Sequence, residues 1–125
     1  MSSNALAATA LGAGLFLTGM TATSAASEQF STVSSRDGFV ALVQGRELQR
    51  FGIRLTVTAD GQIVGRAFGL RVTGEWEWDG GYFCRDLFYG QQDLGFNCQL
   101  VQVSGDTVRF TSDQGAGQFA DLTLR

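Results

Sequence analysis

From Gly45 onward, turn-forming residues recur at intervals of roughly seven to eleven positions: Asp60-Gly61, Phe68-Gly69, Asp79-Gly80-Gly81, Gly90–Asp93, Ser104-Gly105-Asp106 and Asp113–Gly117. Between them lie short runs in which apolar and polar side chains alternate. Ile53, Leu55 and Val57 alternate with Arg54, Thr56 and Thr58, and Leu70, Val72, Trp76 and Trp78 alternate with Arg71, Thr73, Glu75 and Glu77. The same holds for Val108 and Phe110, and for Leu122 and Leu124. Successive side chains of a strand point to opposite faces, so a period of two between evenly spaced turns marks an antiparallel meander with one buried face. The expected fold is all-β, a small antiparallel barrel or sandwich of about seven or eight strands. No βαβ period is visible. One helical signal precedes the strands: in Asp37–Gly45, Phe39, Leu42 and Val43 fall at i, i+3 and i+4. Ser35 or Asp37 is placed to cap its start and Gly45 to end it.

Residues 1–26 differ from the rest. They carry no charged side chain, Ala5–Met20 is mildly apolar, and Thr23-Ser24-Ala25-Ala26 offers the small residues a signal peptidase needs. The reading is a signal peptide cleaved after Ala26, with Ala25 and Ser24 as neighbouring alternatives. Ser2-Ser3-Asn4 lacks the arginine or lysine usual in such leaders. The rival is a retained anchor, but a span needs about 20 apolar residues and this run is short and rich in Ala, Gly and Thr. The domain reading is a leader over residues 1–26, a flexible lead over 27–36 and a barrel domain over 37–125. Removing 26 of the 125 residues leaves 99, near the size at which a single core needs help. Cys84 and Cys98 are the only cysteines. An exported chain, periplasmic or secreted, is expected to join them as a disulfide.

The stretch Gly74–Arg85 concentrates two tryptophans, a tyrosine and a cysteine around Gly80-Gly81. A three-residue loop, Asp79-Gly80-Gly81, sets Trp78 opposite Tyr82, Trp76 opposite Cys84 and Val72 opposite Phe88 on one face, and Glu75 opposite Arg85 on the other. A two-residue loop at Gly80-Gly81 sets Glu77 opposite Cys84 and Trp76 opposite Arg85, mixing the faces, so the three-residue register is expected. With Cys84 facing Cys98, Phe88 then meets Leu94, Tyr82 meets Leu100 and Asp86 meets Phe96. Two readings follow: Trp76, Trp78, Tyr82 and Cys84 build and staple a core, or the aromatics line a cavity with Arg85 as polar anchor. If Val57 pairs with Val64, Arg66 falls on the inner face opposite Leu55 and is a second candidate anchor. Phe83, Leu87 and Tyr89 are then expected outside, as the exposed patch of the protein-binding alternative.

Much chemistry is excluded. The chain contains no histidine, no lysine and no proline, and all nine basic residues are arginines. Triads with histidine, histidine ligands for zinc, Schiff bases and a P-loop lysine therefore fall away. Gly115-Ala116-Gly117 follows a strand and does not open a helix, which argues against a phosphate cradle. The acid pairs Glu75/Glu77 and Asp79/Asp86 read as solvated faces, and neither Asp60-Gly61 nor Asp79-Gly80 has calcium-loop spacing. No cofactor and no metal are expected. The net charge of −3 and the lack of a basic run argue against nucleic acid and against a polybasic membrane segment. Arg46, Arg50, Arg54, Arg66 and Arg71 do crowd one quarter of the chain, with Arg54 and Arg71 outward by alternation. Phe51-Gly52-Ile53-Arg54 is echoed by Phe68-Gly69-Leu70-Arg71, read as two adjacent strands using similar residues.

Gly81-Tyr82-Phe83-Cys84-Arg85, Asn97-Cys98-Gln99 and Phe110-Thr111-Ser112-Asp113 with Gly115 and Gly117 resemble a group of short exported bacterial proteins of unassigned function, over about Asp37 to Arg125. Some of that group carry the name dihydrodipicolinate reductase. The name implies a dinucleotide-binding domain with a glycine fingerprint and active-site histidine and lysine, which this chain lacks. Gly74-Glu75-Trp76 in a small exported barrel with one disulfide is also similar to lipocalin-like proteins and to periplasmic barrel inhibitors of metalloproteases. The functional expectation is a non-enzymatic envelope binding module with a small apolar ligand in a lipocalin-like cavity. The alternatives are an inhibitor or accessory subunit that binds an envelope protein, and an enzyme. Expected partners are that ligand or protein, with no nucleic acid, no stable membrane insertion after leader removal, and a monomeric state.

Overall fold

The computed structural model describes residues 29–125; the leader reading of residues 1–26 lies outside them. The elements run β1 (Ser31–Thr32), α1 (Arg36–Val43), β2 (Leu48–Arg50), β3 (Ile53–Val57), β4 (Gln62–Ala67), β5 (Leu70–Asp79), β6 (Tyr82–Tyr89), β7 (Gln92–Ser104), β8 (Thr107–Thr111) and β9 (Phe119–Leu124). Strands β2 to β9 pair antiparallel in sequence order and β9 returns to β2, which closes an eight-stranded barrel. Closure removes the unpaired edges that an open sheet exposes. The barrel expectation therefore holds over the sandwich. The lead contributes an extra strand: Ser31 pairs with Val103 and Thr32 with Gln102 on β7.

The helix forms over Arg36–Val43, starting one residue before the expected Asp37 and stopping before Gly45, which follows with φ 74°. The Ser35 side chain accepts from the Gly38 amide at its N-terminus, and Phe39 and Val43 are buried. These two side chains join Leu48, Val57, Ile63, Trp76, Phe83, Val101, Val108, Phe110, Leu122 and Leu124 in one core. Glycines shape the barrel where strands approach closely. A Cβ at Gly65 would run into the Arg54 carbonyl and Leu55 Cα, and one at Gly74 into the Asp86 carbonyl. Gly65→Ala should therefore cost about 1–3 kcal/mol by overpacking. An unchanged urea midpoint would show that β3 can retreat.

The β5–β6 hairpin corrects the expected register. Its loop has two residues: Asp79 pairs with Tyr82, Glu77 with Cys84 and Trp76 with Arg85. Gly80 and Gly81 both have positive φ, 62° and 90°, the type I′ pattern whose twist matches that of the strands. The shift by one position exchanges the faces of β6. Phe83 and Leu87 face the core, and alternation puts Arg85 and Tyr89 with them, not outside. Tyr82, Cys84 and Asp86 lie on the outer face. Glu75 opposes Asp86, not Arg85. The Cys84–Cys98 disulfide is present, with S–S 2.09 Å, but on the outer face, opposite to the face that carries the Trp76 side chain. Cys84 is nevertheless only 1 % exposed, beside Glu75, Glu77, Asp86 and Phe96. Cys84 does face Cys98, and Asp86 faces Phe96; a bulge between Leu87 and Phe88 then brings Phe88 to Asp93 instead of Leu94. Arg66 is corrected in the same way. Val57 pairs with Ile63, not Val64, so Arg66 opposes Arg54 on the outer face and Gly65 opposes Leu55 inside.

Candidate ligand cavity and its mouth

In an up-and-down barrel alternate turns lie at opposite ends. Arg36 Nη2 donates to the Ala59 carbonyl in the β3–β4 turn at 2.7 Å, so α1 covers the end that also holds the β5–β6 and β7–β8 turns. The Phe39 ring is the stopper: its centroid lies 5.2 Å from Trp76, 5.4 Å from Trp78, 4.9 Å from Phe83 and 6.4 Å from Phe110. Trp76 Nε1 donates to the Thr58 carbonyl at 2.9 Å. Trp78 Nε1 is buried with no hydrogen-bond partner, so Trp78 contributes through its ring stacked on Phe39.

Beneath this layer is a cavity of about 130 Å³. Its lining runs from Phe83, against Phe39, to Leu55, Leu87 and Ala120 on the side of the other end, with Gln99 as its one polar side chain. The end away from Phe39 is termed the mouth. It carries the β2–β3, β4–β5 and β6–β7 turns and the β8–β9 connection, which includes a 3₁₀ turn at Asp113–Gly115. Side chains stitch the seam between β7 and that connection. Asn97 Nδ2 donates to Asp113 Oδ1 at 2.8 Å, the Asp113 amide donates to Asn97 Oδ1 at 2.9 Å, and Gln99 Nε2 donates to Ser112 Oγ at 3.4 Å.

The expected site residues do not assemble into one site. Trp76 and Trp78 belong to the stopper, and Tyr82 and Arg66 lie outside the barrel. Arg85 shares the inner face but does not line the cavity. Its Nη1 donates to the Gly95 carbonyl at 2.8 Å. Burial pushes its guanidinium down from the ordinary arginine value, and neighbouring Asp86 opposes that shift. The lining residues Leu55, Leu87, Gln99, Phe110 and Ala120 were missed as a site; the alternation of Leu55 and Phe110 was their only signal. Elsewhere, Arg109 clasps Asp121 through two bonds of 2.8 and 3.0 Å and holds that carboxyl below the usual carboxylate range. Arg109 also lies over the Phe30 and Phe119 rings.

A second feature lies on the outer face next to the mouth. Arg54 pairs with Arg66 across β3–β4, and Arg66 with Arg71 across β4–β5, so three guanidinium groups stand abreast. They flank a shallow groove of about 490 Å³ with Glu47 and Thr73. Arg54 Nη2 lies 3.1 Å from Glu47, and Arg66 Nη1 donates to the Gly69 carbonyl at 3.1 Å. Among the described residues no group of three or more His, Cys, Asp or Glu side chains is placed to hold a metal ion. No described helix is long and apolar enough to cross a membrane. No family model, no curated protein and no solved structure matches this chain.

Proposed function

We propose that this protein is a non-enzymatic binding module of the cell envelope that takes a compact apolar group into its barrel. The observation that carries the reading is the cavity of about 130 Å³, stoppered by Phe39 at one end and lined almost wholly by apolar side chains. A dry apolar cavity of about 150 Å³ holds a benzene-sized ligand, whereas drug-sized ligands need about 300 Å³ or more. The ligand class is therefore an aromatic ring or a short alkyl end, alone or at the tip of a larger molecule. The disulfide supports an oxidising compartment, and hence export.

The protein-binding alternative loses the patch first expected for it, because Phe83 and Leu87 are in the core. What remains in its favour is Phe88, Leu94 and Phe96, exposed on β6 and β7. Titration with benzene under amide NMR separates the two. Shifts should centre on Leu55, Leu87, Phe110 and Ala120 and disappear in Ala120→Phe, which fills the cavity. Absence of any shift at benzene saturation would overturn the reading.

A further inference from the structure

The two Phe-Gly turns that echo one another in the sequence are neighbours at the mouth. Phe51-Gly52 joins β2 to β3 and Phe68-Gly69 joins β4 to β5. Phe51 is 91 % exposed and Phe68 is 64 % exposed, with exposed Leu70 beside them. Phe68 has φ 49° and Gly69 has φ 86°. A two-residue turn with both φ values positive favours asparagine or glycine at its first position, and a bulky side chain there is conformationally costly. The ring also lies where a Cβ on Gly52 would have to sit, so the two turns support each other. The large apolar side chain of Phe68 is thus held in water at a position where local stability favours a small polar one. Such conflicts concentrate at functional sites.

Directly behind these tips Arg54, Arg66 and Arg71 stand in register on the outer face; Arg50 pairs with Ile53 on the other face of β2 and acts on Asp121. Like charges opposed across strands are destabilising. Glu47 meets one of them and the Gly69 carbonyl another. The acids of the same strands lie toward the opposite end: Asp60 in the β3–β4 turn, then Glu75, Glu77 and Asp79 along β5. A chain of net charge −3 therefore carries a cationic sector at its mouth.

We propose that this sector docks on an anionic phospholipid surface, with Phe51, Phe68 and Leu70 entering the interface and Arg54, Arg66 and Arg71 meeting the phosphates. The charges are complementary, and the order along the barrel axis fits. Apolar tips lead and guanidinium groups follow, which is how an interfacial anchor places its side chains across the acyl–headgroup boundary. The inference does not depend on the cavity, although docking would turn the cavity's mouth toward the lipid.

The test is co-sedimentation of the oxidised protein, as recovered from the producing cell, with two kinds of vesicle. One is phosphatidylcholine alone; the other is an equal mixture of phosphatidylcholine and phosphatidylglycerol. Binding should favour the mixture and weaken as sodium chloride rises. Arg66→Glu and Arg71→Glu should each reduce partitioning by about fivefold or more. Phe51→Ser should reduce it by about tenfold, with an unchanged melting temperature because the side chain is solvent-exposed. Failure to bind either vesicle overturns the proposal. So does equal binding to both, or binding indifferent to these variants, as retention by residues ahead of the barrel would give. Self-association in free solution that Phe51→Ser abolishes, without vesicle binding, would make the sector an interface between copies and also overturn it. Benzene shifts, measured separately, report on the cavity alone.

Discussion

Phe39→Ala should lower the unfolding free energy by about 3–5 kcal/mol, the range for deleting a fully buried phenylalanine. Phe39 is 0 % exposed and lies within ring-packing distance of four aromatic side chains. Helix α1 has only eight residues, too few to persist without tertiary support. Its attachment rests on Phe39 and Val43, with the Arg36–Ala59 hydrogen bond at its start. Loss of the ring should therefore loosen the helix as well as leave a hole, and open the stoppered end of the barrel to water. A domain of this size loses roughly 4–8 °C of melting temperature per kcal/mol, so the midpoint should fall by at least about 12 °C. Tryptophan emission should shift to the red because Trp76 and Trp78 both pack on Phe39. A fall of only a few degrees would mean that the barrel closes without its stopper.

The fold class was legible because its signals are local. Alternation and evenly spaced turns report where strands begin and end, and Phe39, Leu42 and Val43 report a helix face. The inside and outside of β6 were not legible, because facing depends on a choice of one residue in the loop. A three-residue loop at Asp79-Gly80-Gly81 follows only if cysteine must share the apolar face of Trp76. A disulfide can instead be buried by its own neighbours on the outer surface, as Cys84 is beside Glu77 and Phe96. Gly80-Gly81 suited the two-residue turn all along. Asp86 beside Phe96 would be a charge on the apolar face in the three-residue register, and that conflict disappears with both outside. Arg66 failed for the same reason: one position of register between Val57 and its partner decides its face. The cavity and the arginine row were less legible still. The cavity joins residues from strands far apart in sequence that only closure of the barrel brings together, and the row across the consecutive strands β3, β4 and β5 depends on exact pairing.

Replacing both cysteines, Cys84→Ser with Cys98→Ser, should cost about 3 kcal/mol, the chain-entropy value for a loop of about 15 residues. The separation here is 14 residues. The face on which the bridge lies sharpens this expectation. An inward bridge beside Trp76 would leave a core cavity on removal and disturb tryptophan emission. An outer-face bridge acts chiefly by restricting the unfolded chain, so the melting temperature should fall by about 12–24 °C. Native tryptophan emission and the benzene-responsive amides should stay unchanged. Reduction of the unmodified protein should reproduce the shift. The bridge also has a local task. The β6–β7 ladder is interrupted by the bulge between Leu87 and Phe88, and the Cys84–Cys98 link, on the far side of Leu87, pins the register that keeps Phe83 and Leu87 inside and Cys84 and Asp86 outside. A melting temperature unchanged by the double substitution would refute the staple. It would leave the core residues Phe83, Leu87 and Val101 to hold that register alone.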